Sequence, residues 1–530
     1  MKVIRILFSI ILVNIAICGY TQDGLNNPIT KAIMKVYQQL LDSDPQDYET
    51  YYKRANEYYN HSLYSKALSD INNALKYMPE QNKDLRFESL CLRASIYEEI
   101  KELDKALTDL NQAYIYDSNS YTLLYHKANT EFLLKQYNEA KIDYQRMLRI
   151  NNRSIEALIG LSRIAVVENN YNLANEYADN AVELDSHNPE AYIRRASIRR
   201  SMGNNMGAVD DLIIAISTND SKSKALYELV DMANYDYSVV VDGLSKAIKQ
   251  APKSMMLYYI RGIIAKTHYK YTDALVDFSK IVSDNQQNYH GIHFEIADCS
   301  YALSKYNEGL SHIDIAIESS SNNSKYLELK ARLLRALGNH TEAIKHCDQA
   351  IINNANFTLA IITKGVCYED IENYSQAYSL YGEAILNEAN NPYNFLLRAH
   401  LLNIHLNKPN EAKMLYERIL EMEFEENNIE SLKGFALHAL GNREDAIKWI
   451  DNIISNNNDT NGRINYIGAC LYAQLELIDN AINCAKKSLQ KGYGNYYQWA
   501  FNNDGYVNVA PIRETKLFKD LLSQYSAIFK

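Results

Sequence analysis

The amino-acid sequence predicts an all-α protein made of many similar helical hairpins. Small residues recur in pairs 12 residues apart along most of the 530-residue chain, with a period of about 34 residues. Aliphatic and aromatic residues surround each pair at the i, i+3 and i+4 spacing of an amphipathic helix. Glycine (19 residues) and proline (8 residues) are scarce, and no linker rich in either divides the chain. A long, evenly periodic chain of this kind predicts an elongated repeat architecture, an α-solenoid.

Composition indicates a folded chain and argues against nucleic-acid binding. Hydrophobic residues make up 47% and charged residues 23% of the sequence, which is ordinary for a folded protein. The formal net charge of −10 repels nucleic-acid phosphates, so binding them would require a concentrated basic stripe. The sequence has only one short basic cluster.

Residues 1–21 are predicted to be a secretory signal peptide. Lys2 and Arg5 precede a mostly apolar run of thirteen residues from Ile6 to Cys18, and polar sequence follows. Such a run is too short to span a bilayer and suits the h-region of a signal peptide. Cleavage is expected after Cys18 or near Thr21.

Two alternatives exist for the N-terminus. A lipid anchor at Cys18 is the runner-up, weakened because Ile17 is larger than the residue that lipoprotein signals normally place before the modified cysteine. A retained N-terminal anchor is the other. Since no other stretch is apolar enough to cross a membrane, the mature chain is expected to be soluble and exported, either periplasmic or extracellular.

Twelve triplets of mostly small residues, spaced by 12 and then 7 positions, define the repeat. The triplets are Ala55, Ala67, Ala74; Ala94, Ala106, Ala113; Ala128, Ala140, Met147; Ser162, Ala174, Ala181; Ala196, Ala208, Ala215; Gly262, Ala274, Ile281; Ala297, Gly309, Ala316; Ala331, Ala343, Ala350; Gly365, Ala377, Ala384; Ala399, Ala412, Ile419, with one extra loop residue; Gly434, Ala446, Ile453; and Ala469, Ala481, Ser488. The first two positions are always Ala, Gly or Ser, because antiparallel helices approach closely only where the facing side chains are small. Turns such as SMGNN (201–205) and ALGNH (336–340) stop helices, so each unit is helix, turn, helix.

These units resemble the tetratricopeptide repeat family. Repeat 1 shows the family's residue types at the family's spacings: Tyr51, Ala55, Tyr58, Tyr64, Ala67, Ile71, Ala74 and Pro79. A thirteenth unit is degenerate, because its first helix lacks the small residue while Ala247 and Pro252 of its second helix are in place. The resemblance implies a right-handed superhelix of about 13 helix-turn-helix units.

The predicted organisation follows from these repeats. It consists of a lead-in segment at 22–47, repeats 1–5 at 48–220, the degenerate repeat 6 at 221–254, repeats 7–13 at 255–495 and a C-terminal capping segment at 496–530. The sequence NKDLR (82–86) is expected to lengthen the connection after repeat 1, and repeat 6 is expected to loosen or redirect the stacking.

The tail resembles the closing segment of bacterial-type chains of the family. The matching residues are Asp504, Val509, Pro511, Ile512, Arg513, Phe518 and Leu522. A single apolar face is expected on a final helix, formed by Leu517, Phe518, Leu521, Leu522 and Tyr525. Such a helix would cover the exposed end of the last repeat, because stacked repeats need a cap to stay soluble.

No motif for catalysis, a cofactor or a metal is found. P-loop, GxGxxG, HExxH, GxSxG and paired CxxC patterns are absent from the sequence. The nearest metal-like element is YHGIHFE, in which His290 and His293 are three residues apart and Glu295 is nearby. Since no third ligand is evident, we interpret these histidines as solvated or packed.

The mature chain keeps six cysteines, whose spacing matches no zinc pattern. They are Cys91, Cys299, Cys347, Cys367, Cys470 and Cys484. We expect them to be small buried residues on helices. Disulfides between Cys347 and Cys367, or between Cys470 and Cys484, are the alternative, and a Cα separation above about 7 Å would exclude either.

One basic cluster, RRASIRR in repeat 5, has two interpretations. Its arginines are Arg194, Arg195, Arg199 and Arg200, and Arg163 one repeat earlier extends it. Arginine offers a bidentate fork, so the cluster could anchor an acidic peptide or a terminal carboxylate. Pairing with nearby acids such as Asp210 and Asp211 is the interpretation we favour.

The resemblance implies a ligand groove lined by the first helices of the repeats. Carried over to this sequence, the groove residues are Tyr52, Asn56 and Tyr59 in repeat 1, Tyr125, Asn129 and Phe132 in repeat 3, and Arg163 and Arg200 in repeats 4 and 5. Tyr259, Phe294, Tyr301 and Tyr393 fall at or near corresponding positions further along. The carboxylate clamp of some family members is not reproduced, because Tyr52, Leu92 and Ser95 occupy its positions, apart from Asn56.

The sequence therefore predicts a non-enzymatic exported scaffold that binds a protein or extended peptide in its groove, without a cofactor. Aromatic rings give contact area at small entropic cost, and amides bond to peptide backbone. One alternative is a structural component of a cell-envelope or secretion assembly. Another is a carbohydrate-binding or enzymatic solenoid that uses the groove aromatics. The sequence predicts neither the partner nor the oligomeric state.

Overall fold

The protein is all-α, as predicted. The computed structural model describes residues 28–218, 222–284, 290–423, 432–456, 459, 462–493, 499 and 507–525. These residues form 29 helices and contain no strand. The predicted signal peptide and Asp504 lie outside the described residues. Within them, no helix combines the length and apolar character that crossing a bilayer requires.

The helices follow one another as hairpins. A leading helix, α1 (Pro28–Ser43), precedes repeat 1, formed by α2 (Tyr48–Asn60) and α3 (Tyr64–Tyr77); repeat 2 is α4 (Lys83–Glu99) and α5 (Leu103–Tyr116); repeat 3 is α6 (Tyr121–Leu133) and α7 (Tyr137–Ile150); repeat 4 is α8 (Ile155–Val167) and α9 (Tyr171–Leu184); repeat 5 is α10 (Pro189–Ser201) and α11 (Asn205–Thr218); repeat 6 is α12 (Lys222–Tyr235) and α13 (Tyr237–Gln250); repeat 7 is α14 (Met255–Thr267) and α15 (Tyr271–Ser283). Repeat 8 is α16 (His290–Ala302) and α17 (Tyr306–Ser319); repeat 9 is α18 (Ser324–Ala336) and α19 (His340–Asn353); repeat 10 is α20 (Thr358–Asp370) and α21 (Tyr374–Asn387); repeat 11 is α22 (Pro392–Ile404) and α23 (Pro409–Glu421); repeat 12 is α24 (Lys433–Ala439) and α25 (Arg443–Asn456); repeat 13 is α26 (Arg463–Gln474) and α27 (Ile478–Gln490); and α28 (Ala510–Arg513) and α29 (Lys516–Gln524) close the chain.

One residue in the left-handed conformation turns the chain inside each hairpin except repeat 6. These residues are Ser62, Lys101, Lys135, Asn169, Gly203, Tyr269, Ser304, Gly338, Glu372, Asn407, Gly441 and Glu476. A single left-handed residue at a helix end bonds the last carbonyls and reverses the chain. In repeat 6 only Asp236 separates the two helices, and its side chain accepts a hydrogen bond from the backbone N–H of Val239.

The small residues lie where the two helices of a hairpin touch. Ala55, Ala67 and Ala74 of repeat 1 are all fully buried. At Gly262 even a methyl group would not fit, because an added Cβ would lie 2.5 Å from the Phe278 ring. The 12-and-7 spacing therefore marks the positions where two helices pack closely, as the sequence predicts.

The chain divides into two compact units, Met1–Ser221 and Lys222–Lys530. Unit 1 contains α1 to α11, and unit 2 contains α12 to α29. The boundary falls at the start of repeat 6, where the sequence predicts a joint. In α12 the buried positions belong to Ala225, Leu229, Met232 and Ala233, a stripe without the small-residue spacing of the other repeats.

Two local predictions are wrong. The sequence NKDLR does not lengthen a loop: Lys83 already begins α4, which is extended to 17 residues, so the extra residues add a helical turn. In the final helix, Phe518 and Leu521 are buried as expected, but Leu517 is 54% exposed. Leu517 therefore does not belong to the capping face.

The cap itself covers the last repeat. Helix α28 packs on α26, and α29 packs on α27. The Trp499 ring is fully buried, and its indole N–H donates to the Tyr493 carbonyl over 2.9 Å. Repeats 11 to 13 and the cap thus share one continuous apolar core.

Candidate functional site

The first helices of the repeats line the inner face of unit 1. Helices α2, α4, α6, α8 and α10 contact one another directly from repeat to repeat, whereas the second helices of successive repeats do so much less. In a curved stack, the helices that approach each other most closely lie on the inner, concave side. All eight predicted groove residues belong to these first helices.

Four predicted residues come together where repeats 3 and 4 meet. The Arg163 guanidinium lies 3.9 Å from the centroid of the Phe132 ring, well within cation–π range. Its Nη1 atom donates to Asn129 Oδ1 over 3.2 Å, and the Tyr144 hydroxyl donates to the same oxygen over 2.7 Å. Tyr125 packs against the same core. We call Tyr125, Asn129, Phe132 and Arg163 the repeat 3–4 cluster.

This cluster is fixed in place but not fully covered. Its four side chains are all half-buried. Because Asn129 Oδ1 accepts two hydrogen bonds, the orientation of the amide is set and its NH2 group faces away from them. Among the described residues this NH2 group donates to none. The cluster therefore presents an oriented amide donor beside a flat cation and aromatic surface.

An acidic group borders the cluster on the side of repeat 2. Glu98 accepts a hydrogen bond of 2.6 Å from the Thr130 hydroxyl, and its other oxygen lies 2.9 Å from His126 Nδ1. The rings of Tyr125 and His126 meet edge to face at 5.6 Å. A carboxylate and a basic guanidinium thus lie on either side of the aromatic residues.

Tyr52, Asn56 and Tyr59 form a separate group in repeat 1. Tyr52 is half-buried, and burial together with the neighbouring Glu88 carboxylate raises its pKa to about 12. The Tyr59 ring lies 6.1 Å from that of Tyr64, while Asn56 is exposed. The structure does not bring this group together with the repeat 3–4 cluster.

Arginines of the basic cluster in repeat 5 are used inside the fold. Arg195 donates two hydrogen bonds to the Asp211 carboxylate, from Nε over 3.0 Å and from Nη2 over 2.7 Å. Arg199 Nη1 lies 2.9 Å from the same carboxylate. Arg194 donates to the Ser162 hydroxyl over 2.8 Å. Burial raises the pKa of Asp211 although both arginines oppose this. For Arg195 and Arg199 the favoured interpretation, pairing with a nearby acid, is confirmed. Arg200 is half-buried, as are the other three arginines of the cluster.

Sequence reasoning missed that one kind of ion pair recurs from repeat to repeat behind the inner face. A basic residue directly before the first small residue of a repeat pairs with an aspartate sixteen residues later. The pairs are Arg54–Asp70 at 2.6 Å, Arg93–Asp109 at 2.7 Å, Lys127–Asp143 at 2.6 Å, Arg195–Asp211 at 2.7 Å and Arg261–Asp277 at 2.7 Å. The fixed spacing of sixteen residues was the available signal. These charges hold hairpins together and are not groove residues.

The inner face of unit 2 has a different chemistry. Lys266 Nζ lies 2.5 Å from Glu295 and 3.1 Å from Asp298, and Arg332 Nε lies 2.9 Å from Glu328. Arg332 also lies 3.9 Å from Asp298. Burial works against the charge of Lys266, but Asp298 and Glu295 outweigh it and raise its pKa. Charged side chains on this face are paired with one another across repeats 7 to 9.

Aromatic residues at groove positions of unit 2 also have partners within the fold. The Phe294 ring stacks on Tyr326 at 5.0 Å, and Arg332 lies 4.9 Å from the centroid of the Tyr301 ring. Tyr259 lies 6.4 Å from Phe278. Tyr393 lies at the edge of a cavity.

That cavity has a volume of about 810 Å³ and belongs to repeats 10 to 13. It is lined by the connection at 387–391, by Tyr393, and by Arg463, Tyr466 and Tyr493 near the C-terminal end. The Asn391 amide donates to Glu388 over 2.9 Å. A volume of this size is in the range of small-molecule sites, and sequence reasoning did not find it because its walls come from four different repeats.

The histidines and cysteines form no ligand set in the described residues. His293 Nδ1 lies 2.7 Å from His312 Nδ1, while Glu295 pairs with Lys266. No group of three or more potential metal ligands occurs in the part of the chain that the structure describes.

Cys347 and Cys367 share one buried apolar cluster but are not joined by a disulfide, and neither are Cys470 and Cys484. Burial raises the pKa of Cys347, as expected of a packed thiol.

A protein-family model agrees with the repeat assignment over part of the chain. The family model of the tetratricopeptide repeat matches residues 295–356, which extend from repeat 8 through repeat 9. No curated protein matches the chain.

Solved structures of repeat proteins are similar to parts of the chain. A tetratricopeptide repeat protein from Parabacteroides merdae is 17% identical and covers 55% of this chain and 99% of its own, with a TM-score of 0.30. Yeast Tom70 is 15% identical and covers 76% of this chain and 96% of its own, with a TM-score of 0.35. MamA from Desulfovibrio magneticus is 14% identical and covers 33% of this chain and 97% of its own, with a TM-score of 0.30. Likeness at this level carries no information about a ligand.

Proposed function

Because the chain is built of tetratricopeptide-type repeats, an architecture of protein-interaction scaffolds, we propose that unit 1 binds an extended segment of a partner protein on its inner face. The observation that carries this proposal is the repeat 3–4 cluster. In this cluster an oriented amide, an aromatic ring and a cation lie together. All three belong to residues that the sequence predicts in the groove.

The chemistry of the cluster suits a peptide in an extended conformation. An amide NH2 whose oxygen is already bonded is free to donate to a backbone carbonyl. The Phe132 ring and the guanidinium stacked on it give a flat surface, and such aromatic and arginine residues dominate binding energy at protein interfaces. Since Arg163 is held by Phe132 and Asn129, little conformational entropy is lost when a ligand binds.

Charge on the inner face favours one direction of binding. Glu98 lies on the repeat 2 side of the cluster, and Arg163 and Arg200 lie on the side of repeats 4 and 5. A partner segment with basic residues toward repeat 2 and acidic residues, or a free carboxylate, toward repeat 5 would be complementary.

We propose a scaffold without catalysis. Two carboxyl groups of unit 1 whose pKa is raised by burial, Asp211 and Glu131, are engaged with basic partners behind or beside the inner face. A perturbed carboxylate in an ion-pair network is expected in a structural role as well as in catalysis, and its contacts here bridge helices.

We also propose that the protein is exported. Support comes from the sequence alone: the basic start, the short apolar run from Ile6 to Cys18 and the polar residues after it. N-terminal sequencing of the protein purified from its native cells tests this. A start at or just after Cys18 or Thr21 is expected, and an intact Met1 on the bulk of the protein would overturn export by cleavage.

Crosslinking and affinity capture from native cells test the binding proposal. Full-length protein is compared with Phe132→Ala, which removes the ring under Arg163, and with Ile142→Ala on the same hairpin, which is 59% exposed on the second helix. Partners lost with Phe132→Ala and kept with Ile142→Ala are expected. Partners that respond only to Ile142→Ala would instead favour a structural component bound through the outer face.

A further inference from the structure

Repeats 7 and 13 of unit 2 touch each other although five hairpins separate them along the chain. The Tyr269 ring, in the turn of repeat 7, meets the Tyr493 ring edge to face at 4.8 Å. Tyr269 packs against the core of the C-terminal repeats. In a stack of repeats each hairpin normally contacts only its neighbours. This contact instead joins the C-terminal repeat of unit 2 to a hairpin near the start of that unit.

The turn of repeat 7 is adapted for this contact. Tyr269 occupies the left-handed position of the hairpin, with φ of 59°. In the other hairpins this position is held by Gly, Ser, Asn, Lys or Glu. A bulky aromatic residue rarely adopts this conformation, and such residues persist where the surroundings hold them. The aromatic ring of Tyr269 distinguishes the turn of repeat 7 from the turns of the other repeats.

The receiving surface on repeat 13 is equally specific. Tyr493 lies 5.3 Å from Tyr466, and Tyr466 meets Trp499 at 4.8 Å with the rings perpendicular. Gly492 lies beside the turn: a Cβ added there would be 3.0 Å from Lys270 Nζ and 3.9 Å from the His268 carbonyl oxygen. Gly492 itself has a φ of 76°, a backbone conformation that favours glycine.

We propose that Tyr269 and the aromatic surface of repeat 13 form a latch that holds unit 2 closed. The contact is small beside the packing between consecutive helices, so it can open while every hairpin stays folded. Opening would uncover the Tyr493 ring, which lines the cavity of about 810 Å³ together with Tyr466. The latch therefore holds one wall of that cavity in place.

Hydrogen exchange on the full chain tests the latch. The variant Tyr269→Ser introduces the residue that repeats 1 and 8 carry at this position, Ser62 and Ser304, so the turn itself is expected to fold. The backbone N–H groups of Gly492 and Tyr493 donate to Leu489 and Ser488 over 2.9 and 3.2 Å. In Tyr269→Ser their exchange is expected to rise at least tenfold, with the helices of repeats 7 and 13 still protected and the circular dichroism unchanged.

Two further variants make the outcome decisive. Tyr269→Phe keeps the ring and is expected to exchange like the native protein. Glu372→Ser changes the same turn position in repeat 10 and should leave Gly492 and Tyr493 unaffected. Unchanged exchange at Gly492 and Tyr493 in Tyr269→Ser would overturn the latch. Loss of protection throughout repeats 7 to 13 would overturn it too, because Tyr269 would then be an ordinary core residue.

Discussion

The inner faces of the two units use their polar side chains in different ways. In unit 1, Arg163 stacks on Phe132 and bonds an amide oxygen, so its charge is oriented but not neutralised by a carboxylate in these contacts. In unit 2, Arg332 and Lys266 are bonded to carboxylates of their own and neighbouring repeats. The same hairpin scaffold therefore carries an arginine bonded to an amide in one unit and basic side chains bonded to carboxylates in the other.

The position of a side chain within the repeat decides which face of the helix it lies on. Its neighbours decide whether its charge is neutralised by a carboxylate. Both arginines occupy the position directly after the small residue of a first helix, Ser162 or Ala331. One has an asparagine from the preceding repeat beside it, and the other has Glu328 one helical turn away.

Replacing Arg332 by Ala is expected to destabilise unit 2 strongly. The Glu328 side chain is only 1% exposed, and without Arg332 it keeps the Thr363 hydroxyl at 2.9 Å as a remaining partner. Breaking a buried ion pair by removing one partner costs about 3–5 kcal/mol. Urea denaturation measures the loss. The control is Lys345→Ala, which removes an exposed pair with Glu342 and should have little effect; equal effects of the two variants would contradict the prediction.

The stability of unit 1 is expected to fall as the pH rises, because of Glu131. Burial raises the pKa of Glu131 to about 7, although the Lys127 ammonium opposes this. A carboxyl group with a raised folded pKa stabilises the fold most below its unfolded pKa, near 4.5, and this stabilisation is lost as the pH approaches 7. This change amounts to up to about 3 kcal/mol in the free energy of unfolding. Glu131→Gln is expected to remove it. Unfolding free energies at pH 4.5 and 7 measure it, and parallel pH profiles for both proteins would disprove it.

Unit 2 is expected to show the opposite trend through His400. Burial and the nearby His405 lower the pKa of His400 to about 4. A histidine with a lowered folded pKa contributes stability above its unfolded pKa, near 6.5, and loses it as the pH falls toward 4. The loss is expected to reach about 2 kcal/mol, since the ring is partly accessible. His400→Gln should flatten the acid side of the unfolding profile, and an unchanged acid limb would show that this histidine is not responsible.

Replacing Arg163 by Ala is expected to have the smallest effect on stability. The side chain contributes one stacked contact and one hydrogen bond at a half-buried position, together worth about 1 kcal/mol. Urea denaturation of unit 1 in the full chain measures this value. A loss as large as that of Arg332→Ala would mean that Arg163 is a structural residue, and the contrast between the two inner faces would disappear.

Much of the fold was predictable because its signals are local. The spacing of Ala55, Ala67 and Ala74 fixes where two helices touch, and it recurs in every regular repeat. Local reasoning failed where a sequence can continue a helix or end it: NKDLR was interpreted as an inserted loop, but Lys83 starts a longer helix. Leu517 was assigned to the capping face because apolar spacing does not show how far the underlying surface extends.

The candidate site was only partly predictable for the same reason. The position of Phe132 in the groove follows from the repeat, but its contact with Arg163 depends on how two repeats stack. The ion pairs sixteen residues apart were readable in principle, as in Arg54 and Asp70. The contact between Tyr269 and Tyr493 was not, because no local pattern relates residues so far apart in the chain.

The affinity of unit 1 for its captured partner tests whether the inner face of repeats 3 and 4 is the binding surface. The measurement compares the full-length protein with Phe132→Ala and Ile142→Ala by titration calorimetry. Removing a central aromatic contact is expected to weaken binding at least tenfold, as at interface hot spots, while Ile142→Ala leaves the affinity unchanged. Equal affinities for all three proteins, with helix content intact, would show that this face does not bind the partner.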